Sequence, residues 1–190
     1  MTATFRNNAA LLAEILNICA FEIEAIKNRS NIFPVCFFQP ITIAQMSHFS
    51  KNGGNALGIS SDDGPLICKL VILYLRQHNA LHNRPQVLSV VLVFAVTIQW
   101  SAADDDEEVY RTAQAILDRA VALAKCKGLD HRYIYQNYAA SSQDFFGSYG
   151  ARNKARLLRI QELYDPGKVF VDLQPGYFKL RQSADGIRAQ

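Results

Sequence analysis

One segment, from Asp104 to Lys127, constrains the fold of this chain more than any other. Its apolar side chains recur at spacings of three and four residues, the pattern of a helix that buries one face. They are Val109, Ala113, Ile116, Leu117, Ala120, Leu123 and Ala124. Acidic residues open the segment and lysines close it, which complements the helix dipole, and Gly128 is placed to end it. The sequence therefore predicts a long amphipathic helix, and the helix start explains the acidic run without a metal site.

Other segments predict shorter helices and strands. Residues 9–28 carry apolar side chains on one helical face, whereas Phe33–Gln39 is aromatic and β-branched and lies between two prolines, as in a strand. His131–Tyr135 is predicted as a strand, and a last helix is predicted from about Tyr149 to Tyr164, ended by the Asp-Pro-Gly sequence at 165–167. The residues of that helix expected to face inward are Leu157, Ile160, Leu163 and Tyr164.

The order of these elements predicts an α+β fold in which antiparallel strands carry helices on one face. A chain of 190 residues is long enough for one domain with a sizeable core. We expect residues 1–180 to form that domain and the polar segment 181–190 to be a flexible tail.

Composition argues against several classes of partner. The formal charge is +3, from 20 basic and 17 acidic side chains, and no basic stripe with interleaved aromatic residues occurs, so we expect no nucleic-acid partner. The longest apolar stretch, Val87–Ile98, is shorter than the roughly 20 residues that a membrane helix needs. The N-terminus lacks the layout of a signal peptide. We therefore expect a soluble protein without a membrane partner.

The sequence predicts no metal site. Four cysteines occur, Cys19, Cys36, Cys68 and Cys126, and none forms a C-x-x-C pair, so buried free thiols are the preferred interpretation. His78 and His82 have the spacing of two ligands on one helical turn, but the sequence offers no third ligand.

The last third of the chain carries an ordered series of short motifs. The series is Tyr135-Gln136-Asn137-Tyr138-Ala139, Gln143-Asp144, Ser148-Tyr149-Gly150, Asn153, Tyr164-Asp165-Pro166, Val169-Phe170 and Pro175-Gly176-Tyr177-Phe178-Lys179-Leu180. It resembles the C-terminal end of fungal FAD-linked oxidoreductases of the berberine-bridge-enzyme-like type, in the vanillyl-alcohol-oxidase (PCMH-type) superfamily. Weaker similarity extends upstream to about residue 30. The resemblance implies the substrate domain of that fold together with its returning C-terminal segment.

The resemblance also implies a chemistry. In that family a substrate C–H gives hydride to FAD while a base takes the proton of a hydroxyl or phenol, and Tyr138 matches the catalytic tyrosine. Asn137 matches an asparagine near the flavin ring, Tyr135 would line the substrate pocket, and Asn153 precedes a helix that packs back on the flavin domain. A tyrosine needs a nearby cation or hydrogen-bond donor to act as a base at neutral pH, and the sequence identifies none. Plain packing is the alternative interpretation of these side chains.

Two departures from the family matter. The N-terminal flavin-binding domain is missing and no G-x-G-x-x-G loop occurs, so we expect this chain alone to be inactive and unable to hold FAD tightly. Residues 68–92 interrupt a segment that is nearly continuous in the family. We interpret them as an aberrant insertion, either a translated intron or a real surface loop.

These observations lead to two functional hypotheses. The first is a fragment of an FAD-dependent oxidoreductase that oxidises a hydroxylated small molecule or secondary metabolite. The second is a catalytically silent α+β domain that binds a partner or dimerises through a sheet face left bare by the missing half. We expect that face to be apolar and aromatic, with Tyr135 and Tyr138 near it. The substrate, the compartment (with secretion suggested by the family) and the oligomeric state stay open.

Overall fold

The computed structural model describes residues 1–29, 31–63, 91–174, 176 and 178–180. Its strands are β1 (Thr2–Arg6), β2 (Phe33–Ile41), β3 (Val91–Gln99) and β4 (Asp130–His131). Its α-helices are α1 (Ala9–Ile23), α2 (Ile43–Met46), α3 (Asp106–Cys126), α4 (Phe145–Ser148), α5 (Ala151–Tyr164) and α6 (Val169–Asp172). Short 3₁₀ turns cover Lys51–Gly53, Ser61–Asp63, Ala103–Asp105 and Gln136–Tyr138.

Within the described part of the chain, four strands form one sheet in the order β2–β3–β1–β4. Each neighbouring pair is antiparallel. Apart from the one-turn helix α2 and the 3₁₀ turns, the elements from β1 to β4 follow the order β-α-β-β-α-β. This element order, together with the antiparallel strand order of the sheet, is the ferredoxin-like, or split β-α-β, arrangement. The N-terminal strand β1 thus lies inside the sheet, between β3 and β4.

Helices α1 and α3 cover one face of the sheet. Their buried side chains share a core with every second residue of the strands, because successive strand residues point to opposite faces. The buried members are Ala3, Phe5, Leu11, Ile15, Cys19, Ile23, Phe38, Phe94, Val96, Ala113, Ile116, Leu117, Ala120 and Ala124. The prediction of a long helix at Asp104–Lys127 is confirmed, with its first residues in a 3₁₀ turn, and Arg29 pairs there with Asp105 and Glu108.

The helix predicted over residues 9–28 ends earlier than expected. Regular α-helix stops at Ile23, and the following N–H groups bond three residues back instead of four: Ala25 N–H reaches the carbonyl of Glu22, and Ile26 N–H that of Ile23. This tightening into turns lets the chain leave the helix towards β2 while Ile26 stays buried.

The opposite sheet face is not bare, which corrects the expectation stated above. A second core forms there between Val93 of β3 and the side chains of Ile59, Tyr133, Phe145 and Tyr149. The segment from Tyr133 to Tyr149 thus folds back over the sheet. The bare face was expected because the flavin-binding half is missing, but the later part of the same chain covers Val93 instead.

The predicted strand His131–Tyr135 is wrong beyond its first residue. β4 ends at His131, and the next N–H groups are bound by side chains instead of by a strand. Tyr133 N–H donates to His131 Nδ1 at 3.2 Å, and Ile134 N–H donates to Ser148 Oγ at 3.0 Å. These side-chain acceptors replace the sheet ladder and let the chain turn away.

The predicted burial of the C-terminal helix is also only partly right. Leu157 of α5 is half-buried against the second core, but Ile160, Leu163 and Tyr164 are exposed to 41%, 72% and 78%. An amphipathic pattern shows that a helix face is apolar; it does not show that the same chain covers it.

Most of the predicted insertion lies outside the described residues, and so do Cys68, His78, His82 and the tail 181–190. Its last two residues belong to β3, where the backbones of Val91 and Leu92 pair with both β1 and β2. None of the helices in the described ranges is both long and apolar enough to cross a lipid bilayer.

The approach of the C-terminal segment to the 50–63 region can be tested at Gly58. Its φ is +71°, and a Cβ there would lie 2.2 Å from the carbonyl oxygen of Tyr149, whereas Gly128 has φ +65° and open space around it. We expect Gly128→Ala to cost about 1–2 kcal/mol for the left-handed backbone. Gly58→Ala should cost about 1–3 kcal/mol more because of the clash. Urea unfolding measures both, and equal losses would contradict this packing.

Candidate functional site

The residues predicted to act on substrate lie at a turn, not on a strand. Tyr138 N–H donates to the Tyr135 carbonyl at 3.1 Å and Ala139 N–H to the Gln136 carbonyl at 3.2 Å, which closes a 3₁₀ turn over Gln136–Tyr138. Tyr135 and Asn137, although two residues apart, therefore do not lie on one face of a strand. The polar Gln136-Asn137 pair is exposed, as expected in a turn.

Tyr138 connects this turn to strand β2. Its hydroxyl donates to Gln39 Oε1 at 2.7 Å, and its ring meets the edge of Phe37 with centroids 5.2 Å apart. Phe37 and Gln39 are two residues apart on β2, so both project from the same sheet face. The ring of Tyr135 packs against Tyr138 at 5.0 Å. Together these contacts fix the position of the Tyr138 hydroxyl.

Asn137 and Tyr135 form a second polar pair beside Tyr138. The side-chain amide of Asn137 donates to the Tyr135 hydroxyl oxygen at 2.9 Å. The amide oxygen of Asn137 and the hydroxyl proton of Tyr135 have no hydrogen-bond partner among the described residues. The pair therefore offers one hydrogen-bond acceptor and one donor to a ligand that binds beside strand β2, at the edge of the sheet.

Among the described residues no cation lies against the Tyr138 hydroxyl. The sequence had identified no cation or donor for it either. Its neighbour is the Gln39 amide, which can accept through its oxygen or donate through its nitrogen. With the oxygen facing it, Tyr138 is a donor. Rotation of the amide by half a turn would place an N–H against the phenol oxygen, an arrangement that would stabilise Tyr138 after the loss of its own proton.

Asn153 lies apart from these residues, at the start of α5. Its amide donates to the Tyr149 carbonyl at 3.0 Å and lies beside Gly58. No hydrogen bond or ring contact between described residues joins it to Tyr135, Asn137 or Tyr138. Asn153 thus fixes the junction of α4 and α5 in this chain.

Gln143 has a role that sequence reasoning missed. Its amide oxygen accepts from Thr2 N–H and from Ala140 N–H, each at 3.0 Å, and its amide nitrogen donates to the Thr2 carbonyl at 2.7 Å. The side chain thus bonds to β1 as a neighbouring strand would. The motif comparison singled out Gln143, but nothing in the sequence alone indicates its partner.

Two buried tyrosines belong to the core instead of to the site. Burial raises the pKa of Tyr133 and of Tyr149, whose rings stack at 5.9 Å, so both stay protonated. Burial also lowers the pKa of His131, against the opposing effect of Asp63, whose Oδ1 lies 3.4 Å from His131 Nε2. Since His131 Nδ1 accepts from Tyr133 N–H, the neutral ring carries its proton on Nε2.

A groove of about 520 Å³ opens next to this turn. It begins at Gln136, the residue before Asn137, and runs along the ends of α5 and α6. Its walls are Gln136, Phe146, Gln161, Asp165, Phe170, Val171, Gln174, Gly176, Phe178, Lys179 and Leu180. The space has the size of a small-molecule site and mixes amide with aromatic side chains.

Comparison with known proteins relates this chain to fungal flavoenzymes. It is 31% identical over 184 residues to an FAD-dependent monooxygenase of Fusarium proliferatum, and likewise to one of Cochliobolus heterostrophus. It is 28% identical over 182 residues to an FAD-dependent monooxygenase of Emericella nidulans. Each alignment covers 94% of this chain. No family model and no solved structure matches the chain.

The chain spans about a third of the length of these curated relatives, with shares of 31%, 31% and 33%. The expectation of fungal FAD-dependent relatives is confirmed. The narrower berberine-bridge-enzyme-like type stays a prediction.

The contact between Tyr138 and β2 can be measured as a coupling. Tyr138→Phe removes one partly buried hydrogen bond and should lower the free energy of unfolding by about 1 kcal/mol. Gln39→Met removes the same bond, so the double variant should lose less than the sum of the single losses, by about 0.5–1.5 kcal/mol. Tyr164→Phe, at an exposed tyrosine, is the control and should change little. Strictly additive losses in urea unfolding would show that the two side chains do not interact.

Proposed function

We propose that this chain is the substrate-side part of a berberine-bridge-enzyme-like, FAD-dependent oxidoreductase. The parent enzyme oxidises a hydroxylated small molecule of fungal secondary metabolism. The observation that carries the proposal is the grouping of Tyr135, Asn137, Tyr138 and Gln39 at one edge of the sheet. It occurs in a chain whose relatives are named FAD-dependent monooxygenases.

The residues of this chain fit only one part of FAD. The amide oxygen of Asn137, which has no hydrogen-bond partner in the described part of the chain, and the hydroxyl of Tyr135 suit the polar edge of a flavin ring. The ten glycines of the sequence form no phosphate-binding loop for the diphosphate. Since the relatives are about three times longer, we assign the diphosphate site to the part of the parent protein beyond this chain.

Tyr138 is proposed as the proton acceptor for the substrate hydroxyl, a role in which it first releases its own proton to solvent. When bound, FAD supplies the electron-accepting chemistry, and the protein supplies position and proton transfer. The Gln39 amide would rotate to donate to the Tyr138 oxygen, while Phe37 and Tyr135 hold its ring. A phenol that has lost its proton is more electron-rich, which favours hydride loss from its side chain and also oxygen transfer to its ring.

The exposed apolar surface of α5 and α6 supports a larger parent protein. Its members are Ile160, Leu163, Tyr164, Val169, Phe170 and Leu173, each at least 41% exposed. A surface of this kind marks an interface. We propose that the flavin-binding part covers it, in line with the family resemblance. The same surface favours a second candidate function, a silent domain that dimerises through α5 and α6.

The experiment uses the longer parent protein with its flavin-binding part, purified as wild type, Tyr138→Phe and Tyr110→Phe. Flavin content is measured by absorbance, and flavin reduction by a panel of phenols and alcohols is followed without oxygen. We expect wild type to contain flavin. Tyr138→Phe should keep the flavin and reduce it about 10²- to 10⁴-fold more slowly, the usual contribution of a general base. Tyr110→Phe, at an exposed tyrosine on α3, should match wild type.

Two outcomes would contradict the proposal. Flavin reduction by Tyr138→Phe at the wild-type rate would exclude Tyr138 as the proton acceptor. A colourless wild-type protein that does not bind added FAD would exclude the flavoenzyme assignment, and a dimeric mass in light scattering would then favour the second candidate.

A further inference from the structure

Two cysteine side chains, one on helix α1 and one on strand β2, face the same core. Cys19 lies on the buried side of α1 and is 2% exposed. Cys36 is half-buried on β2 and packs against the same core, on the side of the strand that also carries Phe38. Interaction with the Cys36 thiol, together with burial, raises the pKa of Cys19. The two thiols thus belong to one core, on a helix and a strand that pack together, and they interact across it.

We propose that Cys19 and Cys36 are an oxidation-sensitive pair that closes to a disulfide between α1 and β2, with a peroxide as oxidant. The inference depends on the packing of the helix face and stands apart from the proposed flavin chemistry.

The two thiols differ in their exposure to solvent, as a peroxide-driven reaction between them requires. β2 is an edge strand of the sheet, and Cys36 is partly open to solvent, so a small peroxide can reach it. Cys19 is enclosed, so peroxide reaches it less readily than Cys36, which assigns Cys19 the role of the resolving partner. Cys126, at the exposed end of α3, has no thiol partner among the described residues and serves as an internal reference.

The reaction balances with hydrogen peroxide alone. The Cys36 thiolate attacks one peroxide oxygen, the O–O bond breaks, and Cys36 sulfenic acid and water result. The Cys19 sulfur then attacks the Cys36 sulfur and expels its hydroxyl group, which leaves as water with the Cys19 proton. Two thiols lose two electrons and two protons, and one peroxide becomes two waters.

The disulfide would act on the candidate site from the far side of β2. Phe37 and Gln39, which hold Tyr138, alternate along this strand with Cys36 and Phe38. A covalent connection to α1 restricts β2 in the folded state and the chain in the unfolded state, so oxidation should raise the thermal midpoint.

The test is peptide mapping of the full 190-residue chain before and after hydrogen peroxide, with alkylation of the remaining thiols. We expect a Cys19–Cys36 crosslinked peptide that lacks two hydrogens, with Cys126 free of disulfide and a higher melting temperature. Cys126→Ser should form the Cys19–Cys36 crosslink as wild type does. Cys36→Ser should form no crosslink and show no rise in melting temperature.

A further variant keeps the test informative if Cys36→Ser folds poorly. Cys19→Ala should leave Cys36 as a sulfenic acid that dimedone traps. The proposal is overturned if Cys19 and Cys36 both stay alkylatable in oxidised wild type. It is equally overturned if Cys36 joins Cys68, Cys126 or a second copy instead of Cys19.

Discussion

The path of the chain from Tyr133 to Tyr149 depends on one side-chain amide, that of Gln143. β4 pairs with β1 through Thr4 and His131, and continuing that register would place Tyr133 opposite Thr2. The Gln143 amide takes this place, binding both the N–H and the carbonyl of Thr2. Without it two backbone groups of a buried residue would lose their partners, a cost that folded proteins avoid.

Because the Gln143 side chain takes the place of a strand residue, the chain can fold back over the second face of the sheet. Because β4 stops early, the chain is free to turn, and Tyr133, Phe145 and Tyr149 pack over Val93. The same path brings Tyr138 to Gln39 of β2. The candidate site therefore combines an early strand with a late turn, held in register by the central strand β1, while α1 and α3 support the sheet from the other side.

The spacing and type of the apolar residues along the chain predicted α3 and β2 correctly. The periodicity of α3 and the composition of β2 sufficed, because a helix or strand that buries one face shows it in its spacing. The end of β4 could not be predicted, since His131 Nδ1, Ser148 Oγ and the Gln143 amide decide it from other parts of the chain. The family resemblance identified Tyr135, Asn137 and Tyr138, which lie together, and Asn153, which lies apart. Gln39 lies in the weaker upstream similarity, which gave it no role, because a lone glutamine on a strand does not indicate its partner.

Hydrogen–deuterium exchange of Gln143→Met, which keeps the length of the side chain and removes its hydrogen bonds, tests this account most directly. Gln114→Met, on the exposed face of α3, is the matched control. The account predicts that amides between Tyr133 and Tyr149 exchange about tenfold faster or more in Gln143→Met, with α1 and α3 unchanged. Unchanged exchange between Tyr133 and Tyr149, or equal acceleration throughout the chain, would contradict it.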